Sequence, residues 1–197
     1  MSNIAKRLLK LTNSGKTVFT TGDLRLFWEI ENKNVLKTTI FRAIEKGYLI
    51  SIRRGLYGLN EVKIDEFELA GKLKKNSYIS FETVLAQAGV IFQWYDEIFS
   101  VSDRGVLIKN KYGKFRYRKL PKRILADRTG IVNKGNYFVA TPERAFCDKI
   151  YKDRLSYFDD TTELDEEELK KISKIYNNKR VIKDIKKVIK DNQYASK

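Results

Sequence analysis

Histidine is absent from this 197-residue chain, cysteine and methionine occur once each, and proline occurs twice. Without histidine there is no Ser-His-Asp triad, no Cys-His pair and no imidazole metal ligand. The single Cys147 can make neither an internal disulfide nor a multi-thiolate metal site. It reads instead as a small buried apolar side chain. No run reaches the roughly 18 apolar residues of a membrane-spanning helix. Residues Met1 to Arg7 lead into an amphipathic pattern rather than a signal peptide, so a reducing cytoplasm is the expected compartment. A glycine-rich phosphate cradle is also missing. The acids Asp159-Asp160 and Glu166-Glu167-Glu168 read as solvated faces. Neither an enzyme nor a cofactor is expected.

Positive charge and aromatic residues are abundant. Lys and Arg number 40 against 25 Asp and Glu, a formal charge of +15, and 11 Tyr with 11 Phe supply ample core material. Residues 1–60 carry 11 basic and 4 acidic side chains, the highest net charge per residue in the chain. A basic surface suits a polyanion, most commonly nucleic acid, although a lysine-rich solvated surface has the same composition.

Residues 1–60 show a definite pattern. Ile4, Leu8 and Leu11 fall on one stripe of a first helix, with Gly15 as its stop. Val18-Phe19-Thr20 is a short extended piece. Thr21 reads as the N-cap of a second helix over Gly22–Ile30, with Asp23 in its first turn. A third helix is expected over Val35–Lys46. Its inward face is Leu36, Ile40, Ala43 and Ile44, and Asn34, Lys37, Thr38, Phe41, Arg42 and Glu45 lie opposite. Leu49–Ile52 and Leu56–Leu59 then flank Arg53-Arg54-Gly55 as a hairpin.

Three helices and a hairpin with a basic tip make a winged helix-turn-helix. In that frame Arg42 matches guanine and Asn34 adenine. Lys37, Thr38, Arg53 and Arg54 suit phosphates, with a minor groove as the alternative for Arg54. Phe41 is expected to pack between domains, and Glu45 to sit off the phosphates or on a base. A protein–protein role for such a module stays open.

The expected fold class is α+β: a winged helix-turn-helix over residues 1–60, then a mixed helix and small-sheet domain over 61–197. No Pro-, Gly- or Ser-rich linker separates the two, and residues 61–64 mark the boundary. A helix over Asp65–Lys75 comes next, then a helix over Phe81–Ala88 with Ser80 as N-cap. Strands are expected at Asp96–Ser102, Val106–Ile108, Lys114–Leu120 and Asn136–Val139. Between 109 and 128 nine basic residues face one acid, Asp127. Lys114, Arg116, Arg118, Lys119, Lys122 and Arg123 form a candidate second basic face, for nucleic acid or an acidic partner. Thr141-Pro142-Glu143 starts a helix well, and Arg144 with Asp148 reads as an i,i+4 pair rather than a catalytic group. Helices near Asp165–Tyr176 and Val181–Asn192 precede a tail expected to fray from Gln193.

The motif Tyr78-Ile79-Ser80-Phe81-Glu82-Thr83-Val84-Leu85-Ala86-Gln87-Ala88-Gly89-Val90 follows the winged-helix pattern. Thr141-Pro142-Glu143-Arg144-Ala145 comes later, with Asp148 and Tyr151. In this order they resemble the AbiEi-type antitoxins, the transcriptional-regulator halves of type IV toxin–antitoxin and phage-defence (abortive infection) loci. The resemblance covers about residues 5 to 155. Ala88 stands where the family has His and Val90 where it has Leu, so no role of that His carries over. The resemblance implies a repressor that binds operator DNA of its own promoter and counteracts a nucleotidyltransferase-like toxin. The alternative is a one-component regulator whose second domain dimerises or binds a ligand.

Overall fold

A computed structural model describes residues 3–153 and 157–195, arranged as α+β with one antiparallel and one mixed sheet. Two compact units divide the chain, residues 1–72 and 73–197. The break falls after the expected 61–64 boundary because the intervening helix is tied to the first unit. The Thr17 amide and hydroxyl both donate to Glu68 Oε2, at 2.8 and 2.9 Å.

In the first unit α1 (Asn3–Thr12), α2 (Thr21–Trp28) and α3 (Lys33–Glu45) pack with a three-stranded antiparallel sheet. Its strands are β1 (Phe19–Thr20), β2 (Leu49–Arg53) and β3 (Leu56–Leu59), in the order β1-β3-β2. α4 (Glu66–Leu73) closes the unit and reaches one residue beyond it. Leu11, Phe19, Leu24, Trp28, Leu36, Ile40 and Ala43 belong to one buried cluster, so the apolar stripes read from the sequence face a common core.

The cap of α2 is Thr20, not Thr21. The Thr20 hydroxyl accepts from the Asp23 amide at 3.0 Å, and Asp23 accepts from the Thr20 amide at 2.8 Å. This reciprocal box places the cap three residues before the acid. Burial disfavours ionised Asp23, but hydrogen bonds from Lys16 and Thr20 and the nearby Lys72 charge outweigh it. The carboxyl is held down at about 2. α3 starts two residues earlier than expected, because Asn32 accepts from the amides of Asn34 and Val35.

The second unit holds a six-stranded mixed sheet, ordered β6-β7-β5-β4-β9-β8. Its strands are β4 (Tyr78–Ile79), β5 (Ile98–Ser102), β6 (Val106–Asn110), β7 (Gly113–Lys119), β8 (Ile131–Asn133) and β9 (Phe138–Ala140). Pairs β5/β7 and β4/β9 are parallel. Helices α5 (Glu82–Gln87), α6 (Lys122–Ala126), α7 (Pro142–Lys152), α8 (Glu166–Ser173) and α9 (Lys179–Ala195) accompany it, with a 3-10 turn at Lys174–Tyr176. β8 and α6 have no counterpart in the sequence reading, being only three and five residues long. α9 runs on through Gln193 to Ala195, past the expected start of the tail, and residues 196–197 lie outside the described ones, as do 1–2 and 154–156.

Ser80 is not the cap of α5. The residue before that helix is Phe81, at φ +55° and without a side-chain capping bond. The Ser80 hydroxyl instead donates to Asp148 Oδ2 at 2.8 Å. Ser80 lies two residues before α5, one position too early to cap it, and its hydroxyl proton is held by the buried Asp148 carboxylate.

Candidate nucleic-acid interface

α3 presents its polar side outward. Asn34, Lys37, Thr38, Phe41, Arg42 and Glu45 are all exposed, while Leu36, Ile40 and Ala43 are buried. Helical spacing puts Asn34, Thr38, Phe41 and Glu45 along the middle of the exposed face, with Lys37 and Arg42 on opposite flanks. Phe41 is 59% exposed, so within its unit it is not a packing residue. Thr38 donates its hydroxyl proton to the Asn34 carbonyl at 3.0 Å, and must turn its rotor to donate to a phosphate.

Arg42 borders a cleft of about 230 Å³ between α1 and α3. Arg7, Thr39, Lys46 and Tyr48 share its walls. Three cations, from α1, from α3 and from the residue that follows α3, thus line one cleft. Sequence reasoning passed over Arg7 and Lys46, because nothing in the local pattern of α1 signals that its Arg7 faces residue 42.

Arg53 and Arg54 are exposed at the β2–β3 turn. Gly55 there takes φ +81°, and Arg54 before it keeps a negative φ, a turn whose second central residue requires glycine. The Gly55 carbonyl accepts from the Thr21 amide at 3.2 Å, which ties the tip of the hairpin to the start of α2.

The second basic face is less available. Lys114 is paired with Asp96 at 2.7 Å. Arg116 binds Glu97 through Nε and Nη2, the latter at 3.0 Å. Arg118 bridges Glu82 at 2.8 Å and Asp153 at 3.0 Å, and its guanidinium lies over the rings of Phe81 and Phe99. Arg123 donates to the carbonyls of Ile175 and Tyr176 after α8. Lys119 and Lys122 are exposed. The period-2 alternation is correct for Phe115 and Tyr117, which are buried, whereas Lys119, from the same face, is exposed at the strand end.

Arg144 and Asp148 form an ion pair at 3.4 Å with both side chains fully buried. Asp148 also accepts from Tyr78, Ser80 and Tyr176, at 3.0, 2.8 and 2.6 Å. Arg144 donates to Tyr78 Oη and to the carbonyls of Ile124 and Thr129. Burial pushes the Asp148 carboxyl up, against the pull of Arg144 and the three hydroxyls. Both tyrosines are pushed well above their ordinary value, burial first and the Asp148 charge second. Gly130 at φ +71° lets the backbone pass beside Arg144, since a Cβ there would lie 2.8 Å from the Arg144 Cβ. Four residues that carry the family resemblance, Tyr78, Ser80, Arg144 and Asp148, therefore meet in one solvent-shielded knot that joins β4, α6, α7 and the 3-10 turn. Glu143 takes no part and accepts from the Asp165 amide at 3.3 Å.

Cys147 is fully buried, and burial raises its thiol well above the ordinary value. Among the described residues, no group of three or more His, Cys, Asp or Glu side chains could hold a metal, and no helix is long and apolar enough to cross a membrane. No protein-family model matches the chain, and no curated protein matches it.

Proposed function

We propose that residues 1–72 are a winged helix-turn-helix that binds duplex DNA, with α3 as the recognition helix and the β2–β3 hairpin as the wing. The observation that carries this reading is the outward face of α3. It places an amide, a hydroxyl and an aromatic ring in line between two flanking cations, all exposed, with the Glu45 carboxylate at the C-terminal end of the line, off the phosphates. Such a face can meet base edges in a major groove while its flanks neutralise phosphates. Asn34 is assigned to adenine and Arg42 to guanine. Lys37, Arg53 and Arg54 are assigned to phosphates, and so is Thr38 once its hydroxyl turns.

The wider role proposed is that of an autorepressor and antitoxin acting against a nucleotidyltransferase-like toxin. That part rests on the resemblance of Tyr78–Val90 and Thr141–Ala145 to AbiEi-type antitoxins. An electrophoretic mobility shift with the chain's own promoter, run at several salt concentrations, tests the first part. No shift at low salt would remove the DNA reading. Co-expression with the adjacent gene product, scored by colony growth, tests the second. A folded chain that represses its promoter without protecting cells would leave the one-component regulator.

A further inference from the structure

The densest basic run divides into two populations, and only one is neutralised within the fold. Lys114, Arg116 and Arg118 each face a carboxylate, and Arg123 is bound to carbonyl oxygens. Lys122 and Arg128 have no such carboxylate partner among the described residues. They turn instead toward a second cleft of the same unit, about 500 Å³ in volume. Lys75, distant in sequence, lies on its wall, with Asn76, Leu125 and a single acid, Asp103. All three cations are exposed at the mouth. Arg128 is steadied by stacking on Phe138, with its guanidinium carbon 4.8 Å from the ring centroid.

We propose that this cleft is a second phosphate-binding site, formed by Lys75, Lys122 and Arg128, for the sugar–phosphate backbone of duplex DNA. The proposal rests on the DNA reading of the first unit and extends it to residues 73–197. Three cations against one acid leave an uncompensated charge where a polyanion can reach it. A concave wall brings several of them to one stretch of backbone. Nothing in the cleft offers a base edge a matched donor–acceptor pair beyond Asn76, so contact there should carry little sequence information.

The test uses the full chain and a fluorescent 30-base-pair duplex lacking the promoter sequence, titrated by anisotropy at several KCl concentrations. The variant Lys75→Ala/Lys122→Ala/Arg128→Ala should lower affinity at least tenfold at low salt. It should also flatten the log–log salt slope by two to three, since each neutralised phosphate contributes about 0.9. Lys114→Ala, which removes a cation already paired with Asp96, should leave the slope unchanged. A slope unaltered in the triple variant overturns the proposal while the first unit's role survives. Equal losses in the triple variant and in Lys114→Ala overturn it too, since general charge would then be responsible. A wild-type chain that binds no duplex at all overturns both readings. Thermal melting confirms that each variant is folded. If the triple variant is not, Lys122→Glu with Arg128→Glu gives the same readout.

Discussion

The outward face of α3 and the strand β7 use positive charge in opposite ways. On α3 the cations stand on the flanks of an exposed face, with Arg42 beside Arg7 and Lys46 around a cleft. On β7 they are spent on the unit's own acids, and the most hidden cation, Arg144, is fully buried against Asp148. A paired cation offers a polyanion little, because its field is already cancelled at short range. The denser run of Lys and Arg in the sequence is therefore not the one with the greater capacity to bind.

The sharpest way to break this comparison is to open the buried knot. Asp148→Ala strands the Arg144 guanidinium, and should cost about 3–5 kcal/mol of stability by chemical denaturation. A loss below about 1 kcal/mol would mean that water reaches Arg144 after all. Acid provides a counterpart in the first unit. Asp23 has a depressed folded pKa of about 2, so its contribution is complete above the unfolded value near 4 and fades as pH falls toward 2. The expected loss over that window is about 2 kcal/mol. Trp28 lies in the first unit's core and the only other tryptophan is Trp94, so a Trp94→Phe background reports that unit by fluorescence. In Asp23→Asn that part of the acid-dependent loss should disappear, leaving only the part from Glu29, which Lys10 also holds below its ordinary value.

Arg42→Ala should weaken promoter binding by about 1–3 kcal/mol and relax preference at one base. Uniform weakening across sequences would place Arg42 on a phosphate, together with Arg7 and Lys46. Arg53→Ala with Arg54→Ala should reduce affinity for all duplexes alike and flatten the salt slope. Unchanged affinity would take the hairpin tip off the DNA. The smallest effect is expected for Lys114→Ala: an exposed ion pair contributes little, and neither melting temperature nor DNA affinity should move measurably.

The first unit was the more legible half. Its helices carry clear apolar stripes and local stop signals, so α1, α3 and the hairpin fall close to where periodicity and glycine place them. Errors there are one or two residues at helix ends: at the starts Thr20 and Asn32 win the capping role through bonds that depend on the exact position of a partner, α2 stops at Trp28 rather than Ile30 because Glu29 turns left-handed at φ +55°, and α4 stops at Leu73 rather than Lys75. The second unit yielded less. Three-residue β8 and five-residue α6 are too short to show a period, and nothing local shows that α5 starts a residue late, leaving Ser80 to donate to a carboxylate 68 positions away.

The chain by itself determined which residues are apolar at helical or strand spacing, where turns must fall, and where cations are dense, since these depend on neighbours along the backbone. Tertiary structure alone decided which cations are free. Lys114, Arg116 and Arg118 meet Asp96, Glu97, Glu82 and Asp153 across 18 to 36 positions, and Lys75 meets the cleft of Lys122 and Arg128. Electrostatic pairing acts over a few ångströms in space whatever the separation in sequence, so only the folded chain could tell a neutralised charge from an available one.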